Sequence, residues 1–205
     1  DWLPKVRANL AAVLVDHAHL ERKAATSALN LEKYVELHDS VSELNAIAIE
    51  ELQHFELVLQ LLRKRGIPFT GPQRSPWISG MMAAARKGRK EQVIDRLVVC
   101  SLIEGRSCEK FQILAGGVRD LDSELADFYA GLVESEGNHY ATYLIMARHI
   151  DVAETDSRLD FFLEHAESAL ASERVLWAPD QGLEERIVRE PLGVVDNVSA
   201  WNYPY

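Results

Sequence analysis

The chain has 205 residues, 47% apolar and 26% charged, a balance that fills one soluble core or a tight pair and excludes a disordered or fibrous chain. Thirty-two acidic against 22 basic residues give a formal charge of −10, which excludes a uniformly basic nucleic-acid coat and leaves any polyanionic partner to a local patch. Only Cys100 and Cys108 are available as thiols, too few for a disulfide framework or a four-thiolate metal site, and the most apolar stretch, around Leu97 to Ile103, is far short of a membrane span. The expectation is a soluble cytoplasmic protein with no membrane attachment.

Prolines at 4, 68, 72 and 76, then 179, 191 and 204, leave two long proline-free tracts rich in Ala, Leu, Glu, Lys and Arg, which favour helix. No segment alternates long enough to argue a strand. The pattern predicts a first helix from Leu3 to Tyr34 and a second from Ser42 to Arg65, then a Gly/Pro loop and a short helix from Trp77 to Arg86. A third long helix follows from Lys90 to Ala115, stopped by Gly116 and Gly117, then a fourth from Ser123 to His149 and a fifth from Asp156 to Ser172. Four helices of about 35–45 Å with mostly short links make an up-and-down bundle. The fold class is therefore all-α, a four-helix bundle over residues 1–172 with an additional C-terminal helix, and an extended tail, 173–205, expected to pack on it.

The inward stripes support the bundle and then interrupt it. The second helix places Leu44, Ile47, Glu51, His54, Val58 and Leu61 on one face, and the fourth places Leu125, Phe128, Leu132, Glu136, His139, Tyr143 and Met146. The third reads Ile94, Leu97, Ser101, Glu104, Cys108 and Phe111, and the first reads Leu10, Leu14, His17, Glu21, Ala24 or Ala25, and Ala28. Each long helix thus carries a glutamate near the middle of its apolar side.

In order, these interruptions form an internal duplication: Glu21 with Glu51-x-x-His54, then Glu104 with Glu136-x-x-His139, offset by 83 to 85 residues. Four buried carboxylates facing one another repel and lose hydration, on the order of several kcal/mol per ion, so cations must compensate them. Six oxygen-rich ligands with one imidazole per metal suit a dinuclear iron or manganese centre and fit a structural zinc poorly. The layout matches the known ferritin-like di-metal pattern. A single Glu-x-x-His is usually a solvated surface pair; two at matched offsets, each on an apolar stripe, are not. Glu50 and Glu56 compete with Glu51 for register, and Glu134 with Glu136; periodicity favours Glu51 and Glu136.

Among the remaining histidines, His17 is either an outer partner of Glu21 or a hydrogen-bonded core residue, and His19, His38, His149 and His165 read as surface or cap residues. Gly105 and Gly137 each follow a candidate ligand, either for close helix packing or for a local distortion that makes room beside the metals.

The segments DHAHLERKAA around Glu21, EELQHFELV around His54, IEGRSCEKF around Glu104 and ESEGNHYATY around His139 resemble the bacterial tRNA 2-methylthio-isopentenyl-adenosine hydroxylase family, in flanking residues as well as in the ligands, over roughly Leu10 to Leu170. The resemblance implies a ferritin-like di-iron monooxygenase that hydroxylates the isopentenyl group of a hypermodified adenosine at tRNA position 37. It implies Glu21, Glu51, His54, Glu104, Glu136 and His139 as ligands of two iron ions, dioxygen as co-substrate, and an external electron-donor reductase. The sequence agrees on the last point, having no nucleotide fingerprint and no CxxC pair.

A tRNA partner is compatible with −10 because the charge is uneven. Arg63, Lys64, Arg65, Arg74, Arg86, Lys87, Arg89 and Lys90 stand in a stretch without a single acid, which leaves the rest of the chain at −18. The expectation is one basic bundle end that holds the anticodon stem-loop, with Phe69 and Trp77 available to stack on an unpaired base; the competing view is a solvated helix end. Other functions compatible with the same ligands are a small-molecule oxygenase, a peroxidase and an iron store, and assembly as a monomer or small homo-oligomer suits the oxygenases.

Overall fold

In the computed structural model the described residues are 2–72 and 75–172, so Arg74 and the tail from 173 to 205 lie outside them. The described residues form seven α-helices: α1 (Trp2–Ala8), α2 (Leu10–Leu31), α3 (Val41–Lys64), α4 (Pro76–Ala84), α5 (Arg89–Gly117), α6 (Ser123–Ile150) and α7 (Val152–Ser172), with a 3₁₀ turn at Val35–Ser40. The all-α class is as the sequence indicates. No described helix is long and apolar enough to cross a membrane.

Three boundaries differ from the expectation. The first long helix is broken at Asn9, whose backbone leaves helical geometry and whose Nδ2 donates to Lys5 O at 2.9 Å. Asparagine offers the chain this alternative to a helical turn. α5 runs two residues past Ala115 and ends on Gly116 and Gly117, and a Cβ on Gly117 would stand 2.5 Å from Leu3 Cδ1, so the glycine lets α1 pack against α5. Finally, α7 begins at Val152 because Asp151 Oδ1 accepts from Glu154 N at 3.1 Å and starts the helix only one residue after α6 ends.

The topology also differs. α2 packs along α3, and α5 along α6, as two antiparallel hairpins. At the C-terminal end of α3, Lys64 and Arg65 pair with Glu124 and Asp122 at the start of α6. At the N-terminal end of α5, Lys90 pairs with Asp151 just past the end of α6. α6 has 28 residues and is about 42 Å long, so the chain between α3 and α5 traverses the full bundle. The order is up-down-down-up with one long crossover, not up-and-down with short links.

The crossover is fastened at its far end by Asp95, a fully buried carboxylate on α5. Arg86 reaches it through its backbone N at 2.8 Å and its guanidinium at 2.8 and 3.1 Å, and Arg158 of α7 at 2.8 and 2.9 Å. Trp77 packs into the core beneath. The buried apolar residues fall into two clusters, one holding Leu44, Ile47, Leu97, Tyr143 and Phe162, the other Leu14, Val58, Leu62, Phe111, Leu125 and Tyr129. Each of the four long helices contributes to both, and between them lies a layer of ionisable side chains.

Candidate metal centre

Glu21 comes from α2, Glu51 and His54 from α3, Glu104 from α5, and Glu136 and His139 from α6. All six are buried, because each sits mid-helix on the inward stripe and an i, i+3 pair shares one face. They form two groups of four: Glu21, Glu51, His54 and Glu136, and Glu51, Glu104, Glu136 and His139, with the ligand atoms of each group all within 4.8 Å of one another. Glu51 and Glu136 belong to both groups. His54 Nδ1 lies 3.6 Å from Glu21 Oε2 and 3.9 Å from Glu136 Oε1, and His139 Nδ1 lies 2.7 Å from Glu51 Oε1.

The donor set fits two cations. Glu136 Oε1 and His54 Nδ1 are buried without a hydrogen-bond partner, which native proteins rarely tolerate, and the buried Glu51 Oε1 and His139 Nδ1 have only their 2.7 Å contact with each other, which lacks hydrogen-bond geometry. Burial, reinforced by neighbouring carboxylates, pushes Glu51 and Glu136 far above the usual carboxylate range. Burial likewise raises Glu104, up to about 8. Burial opposes the ionisation of Glu21 too, but the charge and hydrogen bond of His17 outweigh it and hold Glu21 well below the usual range. Two divalent ions would replace protons with +4 of charge against four carboxylates.

Around this layer stand residues whose roles the sequence did not settle. Glu50, a register competitor of Glu51, points elsewhere and accepts from His139 Nε2 at 2.9 Å, which leaves Nδ1 as the inward lone pair. Ser135 Oγ is 3.5 Å from His54 Nε2. His17 hydrogen-bonds Glu21 through Nε2 and stacks among Phe111, Phe128 and Tyr129, so it combines its two candidate descriptions, outer partner and core residue. His19 is not a surface residue: it is buried under the crossover, bonded to Thr70 O at 2.7 Å and stacked on Phe69. A Cβ on Gly105 would stand 3.0 Å from the Tyr140 ring, which favours close packing of α5 on α6 at that position.

The basic residues are not brought to one end. Arg63, Lys64 and Arg65 lie at the end of α3, while Arg86, Lys87, Arg89 and Lys90 lie at the opposite end of the bundle, at the start of α5. Arg63 pairs with Glu56 at 2.6 Å, Arg65 is half-buried against Asp122, and Arg86 is bound to Asp95 and Glu154. A charge run in sequence misses acids supplied by other helices. Trp77 is buried with Arg106 over its ring at 4.7 Å, so it is not free to stack on a base.

The family described as tRNA-(MS[2]IO[6]A)-hydroxylase (MiaE) matches residues 1–176. The chain is 36% identical over 183 residues to a Pseudomonas putida tRNA 2-(methylsulfanyl)-N(6)-isopentenyladenosine(37) hydroxylase, covering 89% of this chain and 85% of the relative. It is 37% identical over 115 residues to the Salmonella typhimurium protein of the same description, covering 56% of this chain and 42% of that relative. Among solved structures it resembles Protein 43 with aldehyde deformylating oxygenase activity from Synechococcus, with a TM-score of 0.79 and 31% identity over 87% of this chain and 88% of that one.

Proposed function

Because the chain belongs to the tRNA-(MS[2]IO[6]A)-hydroxylase family, we propose that it is a cytoplasmic, oxygen-dependent di-iron monooxygenase that hydroxylates the isopentenyl group of 2-methylthio-isopentenyl-adenosine at position 37 of tRNA. The observation that carries the reading is the pair of four-residue groups joined through Glu51 and Glu136, with buried orphaned donor atoms aimed inward. Glu21 and His54 would complete one iron position, and Glu104 and His139 the other. When bound, and supplied with two electrons by a separate reductase and two protons from solvent, such a pair would let dioxygen place one oxygen atom in a C–H bond while the other leaves as water. The apolar clusters on either side of the ligand layer exclude bulk water from that chemistry.

Among the described residues, an open surface cavity of about 360 Å³ between α3 and α6, lined by Leu57, Gln60, Leu61 and Phe128 with Lys64 and Glu124 at its rim, is a candidate for substrate access. The Phe128 ring is 5.8 Å from that of His17, which bonds Glu21, so the cavity wall is one residue from the ligand layer. The modified base would sit there, with phosphate contacts from the exposed Arg63 and Lys64, whose solvent-screened surface ion pairs exchange readily for phosphate.

The test is turnover of a stem-loop bearing the modified base by iron-loaded protein with reductant and dioxygen, read by nucleoside mass spectrometry. Hydroxylated product is expected, with the free nucleoside a poorer substrate because remote phosphate contacts help place the reacting carbon. The likeness to the Synechococcus protein favours one second reading, a small-molecule oxygenase; consumption of an aldehyde with the stem-loop untouched would establish it instead. Charge reversal by Arg63→Glu with Lys64→Glu is expected to weaken tRNA binding and to flatten its log–log salt slope by about 1.4–1.8, with iron content unchanged.

A further inference from the structure

The duplication extends beyond the six candidate ligands, and it breaks down behind them. The shift of 85 residues that carries Glu51 and His54 onto Glu136 and His139 also carries Glu50 onto Ser135. Each faces the histidine of the other half. Glu50 Oε2 accepts from His139 Nε2 at 2.9 Å, whereas Ser135 Oγ stands 3.5 Å from His54 Nε2 and donates instead to Leu132 O at 2.9 Å. The shift of 83 that carries Glu21 onto Glu104 carries His17 onto Cys100. His17 Nε2 occupies Glu21 Oε1 with a hydrogen bond, while Cys100 is a buried free thiol.

We infer that the two metal positions are unequal: the Glu104–His139 position takes its ion first and more tightly, and Glu50 is the positioning residue that makes it so. The inference rests on the ligand assignment proposed above. A carboxylate that accepts the far N–H of an imidazole fixes the ring's tautomer and orientation and makes its other nitrogen a stronger donor. His139 has that support, and His54 has only a long contact to a neutral hydroxyl. Glu21 is further weakened as a donor because His17 already draws on one of its oxygens. The two halves therefore supply the same ligand types with different basicity.

The experiment titrates metal-free protein with manganous ion under argon, followed by calorimetry and electron paramagnetic resonance. The first equivalent is expected to give the six-line spectrum of an isolated ion, and the second the spectrum of a coupled pair. Glu50→Gln, an isosteric change at a half-exposed side chain, is expected to weaken the first step about 10- to 100-fold, while Ser135→Ala leaves it within about twofold. His54→Ala should keep the tight step and His139→Ala should lose it. Equal losses in the two histidine variants, or a first step indifferent to Glu50→Gln, would overturn the inference while leaving the ligand assignment intact. No binding of either ion to the unaltered protein would overturn the assignment itself, and the inference with it.

Discussion

Glu104 shows how one side chain ties charge to stability. Its folded-state pKa is raised to about 8 by burial, against 4.5 for the free group, so without metal it folds protonated. A raised carboxylate contributes stability below its unfolded pKa and loses it as pH climbs through the folded value; Glu51 and Glu136 are raised in the same sense. His139 is depressed by burial and acts the other way, but only as pH falls below about 6.5. The chelated protein should therefore melt at progressively lower temperature from pH 6.5 to pH 8. Metal-loaded protein should lose that fall, because its ligand carboxylates are held ionised as they are in the unfolded chain; parallel slopes in thermal melts would contradict the metal reading. Glu51→Ala and His139→Ala should each sharply lower bound iron, measured by metal analysis. The six converging residues are legible in the sequence because a charge interrupting an apolar stripe is conspicuous, and doubly so when repeated. Glu50 was not, since it lies off the stripe and gains its role only from where α6 crosses α3.

Among the elements, the long crossover and its fastening decide the geometry. Asp95 is buried between Arg86 and Arg158, joining the crossover, α5 and α7. Removing Asp95 leaves the largely buried Arg158 without its carboxylate, while the partly exposed Arg86 keeps Glu154, so Asp95→Ala should cost about 1–3 kcal/mol in urea unfolding while the iron stoichiometry of the folded protein stays unchanged. A loss under 1 kcal/mol would show the network to be incidental. Helix spans were legible because proline and glycine punctuate them, and α3 and α6 fall within a residue or two of expectation. The direction of α5 was not, because a loop's composition does not say how far its ends are separated. Asp95 was hidden for a related reason: its partners are 9 and 63 residues away.

At the scale of the whole molecule, ligand binding and folding are linked. An ion that binds only the folded state at 1,000 times its Kd adds about 4 kcal/mol. Chelation should accordingly lower the melting temperature by several degrees, and a melting temperature indifferent to chelator would argue against a metal cage. The net charge of −10 was legible at this scale, but its partition was not: the structure divides the bases between the two bundle ends and pairs most of them with acids.

The two apolar clusters meet only across the ionisable layer, yet every long helix runs through both. The molecule therefore resembles two bearings on four common shafts, and the layer between them is a torsional joint. Protonated carboxylates hold that joint loosely, whereas two bridged cations would lock it. The consequence concerns how the protein comes apart, not only when. With ions bound, the calorimetric and van't Hoff enthalpies of unfolding should coincide; stripped of them, the calorimetric value should exceed the van't Hoff one as the two bearings begin to melt independently.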